Sequence, residues 1–322
     1  MKLGKLTLKS NIFYAPLAGC SDFPFRQMAA RFKPALMFCE MVKMEALIRG
    51  NEQTLRMLDY QEAMRPIGAQ ICGTDPQKAY LAAKILEEKG FDSIDLNCGC
   101  PVDKITKDGS GSGMLKDPER IGDVIANMAA AVNIPVTVKI RAGWDEKTLV
   151  GPQITKIAEQ AGAAAISVHG RTRKQAYKGP ANWDYIKVCK EVATSIKVIG
   201  NGDIFSGEDG AAMLRQTGCD AVLVSRGTLG QPWIVEDILR AQAGEPPSER
   251  SLEECLQALL DHFSYSTTYK SEKGALIDMR KAGCWYLKKA LGVREFRKKI
   301  SHANSLEEMR SMIENFECRP IK

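Results

Sequence analysis

Val136-Thr137-Val138-Lys139-Ile140, the stretch 148–160, and Ala165-Ile166-Ser167-Val168 form the run on which the fold turns. The first and last pieces are short, β-branched and apolar enough to be covered on both faces, as strands of a parallel sheet are. Between them, residues 148–160 carry a helical pattern, and Gly162 follows where a left-handed C-cap would fall. The same strand and helix alternation extends outward in both directions. Strands are predicted at 12–17, 35–41, 67–72, 93–96, 197–199 and 221–224, and helices at 24–32, 76–89, 118–131, 183–192 and 207–216. Thr74-Asp75-Pro76 and Lys116-Asp117-Pro118 each set a capping residue before an N1 proline, and Gly90 and Gly218 repeat the C-cap signal. Eight strands alternating with helices predict an α/β protein, a closed (β/α)8 TIM barrel. A doubly wound sheet is the alternative. However, the segment after the first strand, Ala15-Pro16-Leu17-Ala18-Gly19-Cys20, has no G-x-G-x-x-G, and Gly109, Gly111 and Gly113 have the wrong spacing and position for one.

After Pro232 the strand signal stops. Ala243-Gly244-Glu245-Pro246-Pro247-Ser248 reads as a linker, and helical patterns follow at 252–269, 276–291 and 306–316. The expected organisation is a barrel domain over 1–242 and a small all-helical domain over 243–322. With 322 residues, 44% hydrophobic and 26% charged, the composition excludes a disordered chain, a collagen-like fibre and a small disulfide scaffold. The whole chain carries +6, yet residues 270–300 hold ten cations against three anions, a net of +7, which leaves the remainder near neutral. Such a block is either a solvated helix face or the electrostatic footprint for a polyanion such as RNA.

The ten cysteines include no CxxC pair and many sit in apolar runs, which reads as reduced, mostly buried thiols. Only His169, His262 and His302 offer imidazoles, none at a zinc-like spacing to a cysteine, so no metal is expected. Met1-Lys2 followed by Leu17-Ala18-Gly19-Cys20 imitates a lipoprotein signal, but Lys9, Ser10 and Asn11 interrupt the apolar core and Pro16 sits near its end. No apolar run approaches the ~20 residues that span a bilayer, so the expected setting is the cytoplasm, with no membrane.

In a parallel barrel the active site is built at the C-terminal ends of the strands. Here those ends supply Pro16, Leu17 and Ala18, Glu40, Gln70, Asn97 with Cys100, Lys139 with Arg141, His169 with Arg171, Asn201-Gly202-Asp203 and Ser225-Arg226. Taken singly, each has a plain structural explanation, such as a turn, an ion pair or a hydrogen-bonded core histidine. Together, Lys139 on the fifth strand and the turns after the seventh and eighth resemble a flavin mononucleotide site, with backbone N–H groups for the phosphate. Gln70 would meet the ring's polar edge, and Lys139 the N1/C2 edge where negative charge collects on reduction. An unactivated cysteine thiol stays mostly protonated at neutral pH, so Cys100 suits a general acid, although a buried structural thiol or a Cys98–Cys100 disulfide is the alternative. The glycine-rich stretch 101–114 reads as a permissive lid.

The ordered set Ala15-Pro16-Leu17-Ala18-Gly19, Asn97-Cys98-Gly99-Cys100-Pro101, Lys139-Ile140-Arg141, His169-Gly170-Arg171-Thr172, Asn201-Gly202-Asp203-Ile204 and Arg226-Gly227 through Trp233 resembles the tRNA-dihydrouridine synthases. The match runs from about residue 11 to 300 and is most similar to the bacterial B-type branch, whose helical RNA-binding domain Arg280-Lys281 and Trp285-Tyr286-Leu287-Lys288 also resemble. The resemblance implies a flavin-binding barrel with a helical tail that reduces the C5–C6 double bond of a tRNA uridine, with NADPH reducing the flavin. It implies that the hydride leaves flavin N5 for C6 while the Cys100 thiol protonates C5 from the opposite face. It further implies that Pro16, Leu17, Ala18, Gln70, Lys139, His169, Asn201, Gly202, Asp203, Ser225 and Arg226 hold FMN. The target base would leave its stack to meet the ring, with Asn97, Arg141 and Arg171 on the substrate side and Arg280, Lys281 and Lys288 on tRNA phosphates. Ser225, where a glycine or alanine is common, and the lid Gly109-Ser110-Gly111-Ser112-Gly113-Met114 depart from the family pattern and would alter phosphate contacts or lid stiffness.

Two other readings fit parts of this pattern. A flavin barrel acting on a free pyrimidine, similar to dihydroorotate dehydrogenase, also places Asn and Cys-Pro after a strand but has no need of a +7 tail. A tRNA-binding protein that has lost catalysis would keep the tail but has no need of Cys100 with Lys139. The expected state is a monomer without an obligate protein partner.

Overall fold

The computed structural model describes residues 1–288 and 290–316. Eight strands form its centre: β1 (Ile12–Tyr14), β2 (Leu36–Phe38), β3 (Ile67–Cys72), β4 (Ser93–Cys98), β5 (Val136–Arg141), β6 (Ala165–His169), β7 (Lys197–Asn201) and β8 (Ala221–Val224). All pair in parallel. β8 lies beside β1, β1 beside β2, and β2 meets β3 through Met37↔Ile67 and Phe38↔Gly68, so the ring closes as a TIM barrel. A doubly wound sheet would have left two open edges.

Two predicted strands end sooner than the apolar pattern suggests. β1 stops at Tyr14, ahead of Pro16, which has no N–H for a ladder bond. The predicted strand 35–41 breaks after Phe38, and Val42–Lys43 rejoins the sheet against Ile71 and Cys72 at the end of β3. In the gap, Glu40 turns its carboxylate to the Cys20 N–H at 3.0 Å rather than into the barrel mouth.

Helices surround the ring at α1 (Phe23–Ala30), α2 (Pro76–Glu88), α3 (Pro118–Ala131), α4 (Gly151–Gln160), α5 (Asp184–Val192), α6 (Gly207–Thr217) and α7 (Ile234–Gln242). The predicted caps form: Asp75 accepts from the N–H groups of Gln77 and Lys78, and Asp117 from that of Arg120. Ser206 and Asp209 add a capping box to α6, which ends at Gly218 with φ +66°. Fully buried Val138, Ile140, Ile154, Val168 and Ile186 pack the strand–helix layer. A separate cluster with Phe13, Leu36, Ile199 and Leu223 includes Leu3 and Leu8 from the N-terminal hairpin segment.

Beyond α7 come α8 (Leu252–Tyr269), α9 (Glu272–Ala282), α10 (Val293–Ile300) and α11 (Leu306–Glu314). The helix predicted at 276–291 ends at Ala282 instead, and the chain turns through Leu287 (φ +61°) and Gly292 (φ +76°). α10 was not legible as a helix because its eight residues are mostly charged, with Val293, Phe296 and Ile300 as the only apolar positions. Leu259, Phe263, Met279, Tyr286, Ile300 and Met309 pack together and against Met28 and Trp233 of the barrel. Lys270 reaches both Asp22 and Asp278, Arg31 pairs with Asp261, and Phe23 stacks on Tyr269 at 4.3 Å, so the helices are joined to the loop and helix that follow β1. Gly230 makes another close approach: a Cβ there would lie 2.0 Å from the Trp285 carbonyl oxygen. Among the described residues no helix is long and apolar enough to cross a membrane.

Candidate active site

Because all eight strands run the same way, their C-terminal ends gather around one cleft of about 420 Å³. Pro16, Leu17, Ala18, Gln70, Asn97, Cys100, Lys139, Arg141, His169, Asn201, Gly202, Asp203, Ser225 and Arg226 all line it. Arg171 stands behind that wall. Its guanidinium is engaged with the Asp203 carboxylate at 2.6 Å, the Gly179 carbonyl and His169 Nε2 at 3.3 Å, so the structure places the residue expected on the substrate side as a brace for Asp203 and His169.

The turn that presents Cys100 is held from below. The Asn97 Oδ1 accepts from the N–H groups of Gly99 (3.1 Å) and Cys100 (2.9 Å), and Asn97 Nδ2 donates to Gln70 Oε1 at 2.8 Å. Gln70 Nε2 donates in turn to Asp95 Oδ2 at 2.7 Å, and Thr137 Oγ1 donates to Asp95 Oδ1 at 2.6 Å. From above, Ser112 donates its N–H and hydroxyl to the Cys100 carbonyl, and Arg141 Nε donates to the Gly99 carbonyl at 2.8 Å. The stretch 101–114 is therefore not an open lid. It holds a short helix, Asp103–Thr106, and the start of a 3-10 turn, and Asp103 and Asp108 pair with Arg173 and Lys43. Cys98 Sγ lies 3.6 Å from Met114 Sδ and Cys100 is a free thiol, so the two form no disulfide. Of the nine described cysteines, none of them in a disulfide, five are buried and four half-buried; Cys318 lies outside the described residues.

Opposite Cys100, the turns after β7 and β8 form a cradle. Among the described residues the N–H groups of Gly202, Asp203 and Ile204, and of Ser225, Arg226 and Gly227, donate to no protein acceptor. Gly202 holds φ +125°, and a Cβ on it would press within 2.7 Å of Ala181 and 3.0 Å of the His169 ring. Asp203 shapes the cradle by accepting from Arg171, from the Ala181 N–H and, at 3.4 Å, from Arg226. Asn201 Nδ2 donates to the Leu223 carbonyl and the Ser225 hydroxyl, which ties the two turns together. Two adjacent loops with unspent N–H groups and an arginine beside them make an anion site.

Lys139 lies between the cradle and Cys100. Burial, then the neighbouring Arg141, lower its pKa to about 8 against the opposing pull of Asp95. Burial pushes the Asp95 carboxyl up to about 6 despite its donors. Burial and then Lys139, Arg141, Arg171 and Arg226 drive His169 far down, so its ring is neutral and Nε2 can accept from Arg171.

At the rim, Tyr177 (58% exposed) and Phe205 (46% exposed) flank Arg226, whose guanidinium carbon sits 5.0 and 5.4 Å from their ring centres. No motif or periodicity marks Tyr177, which stands in an irregular loop. Asp95, by contrast, does carry a signal that sequence reasoning missed: it is a charged residue two positions before Asn97 on an apolar strand, hence on the same face. Lys281 and Lys288 lie outside the cleft but touch its margin, donating to the carbonyls of Gly19 (3.1 Å) and Leu229 (3.0 Å). Arg280 does not face outward as expected: its guanidinium donates twice to the Ala303 carbonyl, which ties α9 to the turn before α11.

Fold and site define a parallel-barrel enzyme with an anion cradle, a buried ammonium and a thiol in one cleft. The family model described as dihydrouridine synthase (Dus) matches residues 13–319. The chain is 36% identical over 317 residues to tRNA-dihydrouridine synthase B of Pseudomonas putida, covering 98% of this chain and 93% of that protein. It is likewise 36% identical over 306 residues to a probable tRNA-dihydrouridine synthase of Rickettsia bellii, covering 94% of each. Among solved structures it is similar to histamine dehydrogenase from a Rhizobium species (TM-score 0.58, 15% identity, 82% of this chain and 50% of that one). It is also similar to morphinone reductase in complex with tetrahydroNAD (TM-score 0.56, 13% identity, 79% and 92%). This chain spans about half of the histamine dehydrogenase chain, and at these identities both likenesses concern the barrel alone. The chain belongs to the dihydrouridine synthase family.

Proposed function

We propose that this protein is an FMN-dependent, NADPH-reduced tRNA-dihydrouridine synthase that saturates the C5–C6 bond of a tRNA uridine. The observation that carries the reading is the placement of Cys100, Lys139 and the unspent N–H cradle in one cleft of a chain that matches the family over residues 13–319. The flavin, when bound, supplies the hydride. The N–H groups of 202–204 and 225–227, with Arg226, hold its phosphate, while Asn201 and Asp203 keep those turns in shape. Pro16, Leu17 and Ala18 border the ring, and Gln70 has one amide N–H left for its polar edge once Asp95 has taken the other. Lys139 keeps a positive charge where negative charge collects on reduction. Asn97 likewise has one free N–H for the uracil, and Cys100 delivers the proton to C5.

The tail helices are read as the tRNA-binding domain, with the division placed between 242 and 243, and the protein as a cytoplasmic monomer. Purified protein should show flavin absorbance that bleaches with NADPH and returns faster with unmodified tRNA under anaerobic conditions. Reduction without a tRNA response would favour a free-pyrimidine enzyme, and no flavin after reconstitution would favour a binding protein. Cys100→Ala should keep flavin and NADPH bleaching but lose about 100- to 10,000-fold in uridine reduction, the span of general acid catalysis; unchanged tRNA turnover would remove Cys100 from the mechanism.

A further inference from the structure

We propose that Asp95 is a positioning residue for Cys100: through Gln70 and Asn97, its buried carboxylate fixes the backbone turn that aims the thiol. The inference rests on the reading of Cys100 as proton donor.

The four polar side chains involved are almost wholly buried, with exposures of 3% for Asp95, 1% for Gln70, 8% for Asn97 and 2% for Thr137. They are neighbours by register, since Gln70 pairs with Asp95 and Asp95 with Thr137 across β3, β4 and β5. An ionised carboxylate only accepts hydrogen bonds. Asp95 therefore forces Gln70 to present Nε2 to it, which turns Gln70 Oε1 toward Asn97. Asn97 must answer with Nδ2, and that leaves Oδ1 for the Gly99 and Cys100 N–H groups. The relay is one-way at both ends: Asp95 only accepts, and the Gly99 and Cys100 N–H groups only donate. If either amide were reversed, donor would face donor or acceptor would face acceptor in a buried site, and that costs about 1–3 kcal/mol per unsatisfied group. With no acceptor at 95, the buried Gln70 Nε2 is left without its partner, Gln70 loses its fixed position, and the Asn97 side chain that closes the 99–100 turn loses its support.

The test uses full-length FMN-loaded protein with Asp95→Ala, Asp95→Asn, Asn97→Ala and the Asp95→Ala/Asn97→Ala double variant. Three quantities are read: NADPH-driven flavin bleaching, reoxidation by unmodified tRNA in a single turnover, and the rate at which iodoacetamide alkylates Cys100, followed on its peptide by mass spectrometry. Asp95→Ala is expected to slow the tRNA step about 100-fold, the cost of misplacing a reacting group by about 1 Å, with bleaching changed far less. Asp95→Asn should recover most of that loss, because its oxygen still accepts from Gln70 while its amide donates to the Thr137 hydroxyl. Asn97→Ala should lose at least as much as Asp95→Ala, because it also removes the uracil contact, and the double variant should add less than about threefold to the Asn97→Ala loss, since residues in one network are not additive. Cys100 alkylation should change in Asp95→Ala and in Asn97→Ala. Additive losses, or equal slowing of bleaching and the tRNA step, would overturn the proposal.

If Asp95→Ala does not fold, an isosteric pair decides. Gln70→Glu sets two acceptors against each other and should shift the alkylation rate, and adding Asp95→Asn, whose amide donates to Glu at 70, should bring it back. A rate that stays shifted overturns the relay. If Cys100→Ala turns over tRNA at the wild-type rate, the proton-donor reading fails, while the alkylation arm still reports whether Asp95 sets the turn.

Discussion

Lys139 stands on β5 with burial and Arg141 working against its charge and Asp95 and Cys100 working for it. Its neighbour His169 is held neutral, so Lys139 is the titrating cation of this wall in the ordinary working range. The pKa is lowered, to about 8, so the charged form is present below that value and is lost as pH rises through it. A step that relies on this charge should fade on the alkaline side. In stopped-flow measurements, NADPH-driven bleaching of the wild type should fall above a pH of about 8. Lys139→Met should be slower throughout, on the order of 100-fold as for the loss of one electrostatic donor, and should show no such limb. A limb that persists in Lys139→Met would assign it to another group. Lys139 was legible in the sequence because a charge inside an apolar strand has to be explained. Asp95 carries the same signal one strand away, but its purpose depends on which side chains lie across β3 and β5, and register is not written in one strand.

Strand ends and helix caps were legible in the chain because prolines, glycines and capping residues act locally. The break in β2 was not, because it depends on Glu40 finding the Cys20 N–H in the loop that follows the neighbouring β1. The entry to β7 depends on the same kind of distant partner. Glu159, in the last turn of α4, accepts from the N–H groups of Thr194 (3.2 Å), Ser195 and Ile196 (2.8 Å) and from the Ser195 hydroxyl (2.7 Å). Burial acts to raise its pKa, yet these donors outweigh it and hold the carboxyl at about 2 against the ordinary 4.5. The folded pKa is depressed, so the stabilisation is fully present above 4.5 and is lost as pH falls toward 2. Glu159→Gln, which keeps an acceptor oxygen but not the charge, should cost about 1 kcal/mol at neutral pH, after allowance for the partly exposed setting. Urea unfolding at neutral and acidic pH should show the variant and wild type converging in acid. A gap that stays constant would mean the carboxylate charge plays no part in stabilising this turn.

The whole molecule joins a barrel that lines the cleft to a helical unit that carries the basic block of residues 270–300, and the cations of that block divide by what they touch. Lys270 is spent on Asp22 and Asp278, and Arg280 on the Ala303 carbonyl. Lys281 and Lys288 hold the loops after β1 and β8 at the edge of the cleft, and Lys289 lies outside the described residues. Arg294, Lys298 and Lys299 remain exposed on α10, a helix whose buried Phe296 and Ile300 turn those cations outward. A charge count over 270–300 could not make this division, because it weighs a cation bonded to a carbonyl and one facing water alike. Lys298→Ala/Lys299→Ala should therefore weaken tRNA binding and reduce the slope of log affinity against log salt by about 0.7–0.9 for each phosphate that is no longer neutralised. Flavin content and NADPH bleaching should not change. Arg280→Ala should lower the melting temperature and alter the salt slope less than the lysine pair does, because its first effect is to release α9 from the turn before α11. A salt titration of tRNA binding beside a thermal melt separates the two classes. Equal slopes for wild type and Lys298→Ala/Lys299→Ala would move the RNA footprint off α10 and onto the lysines at the cleft margin.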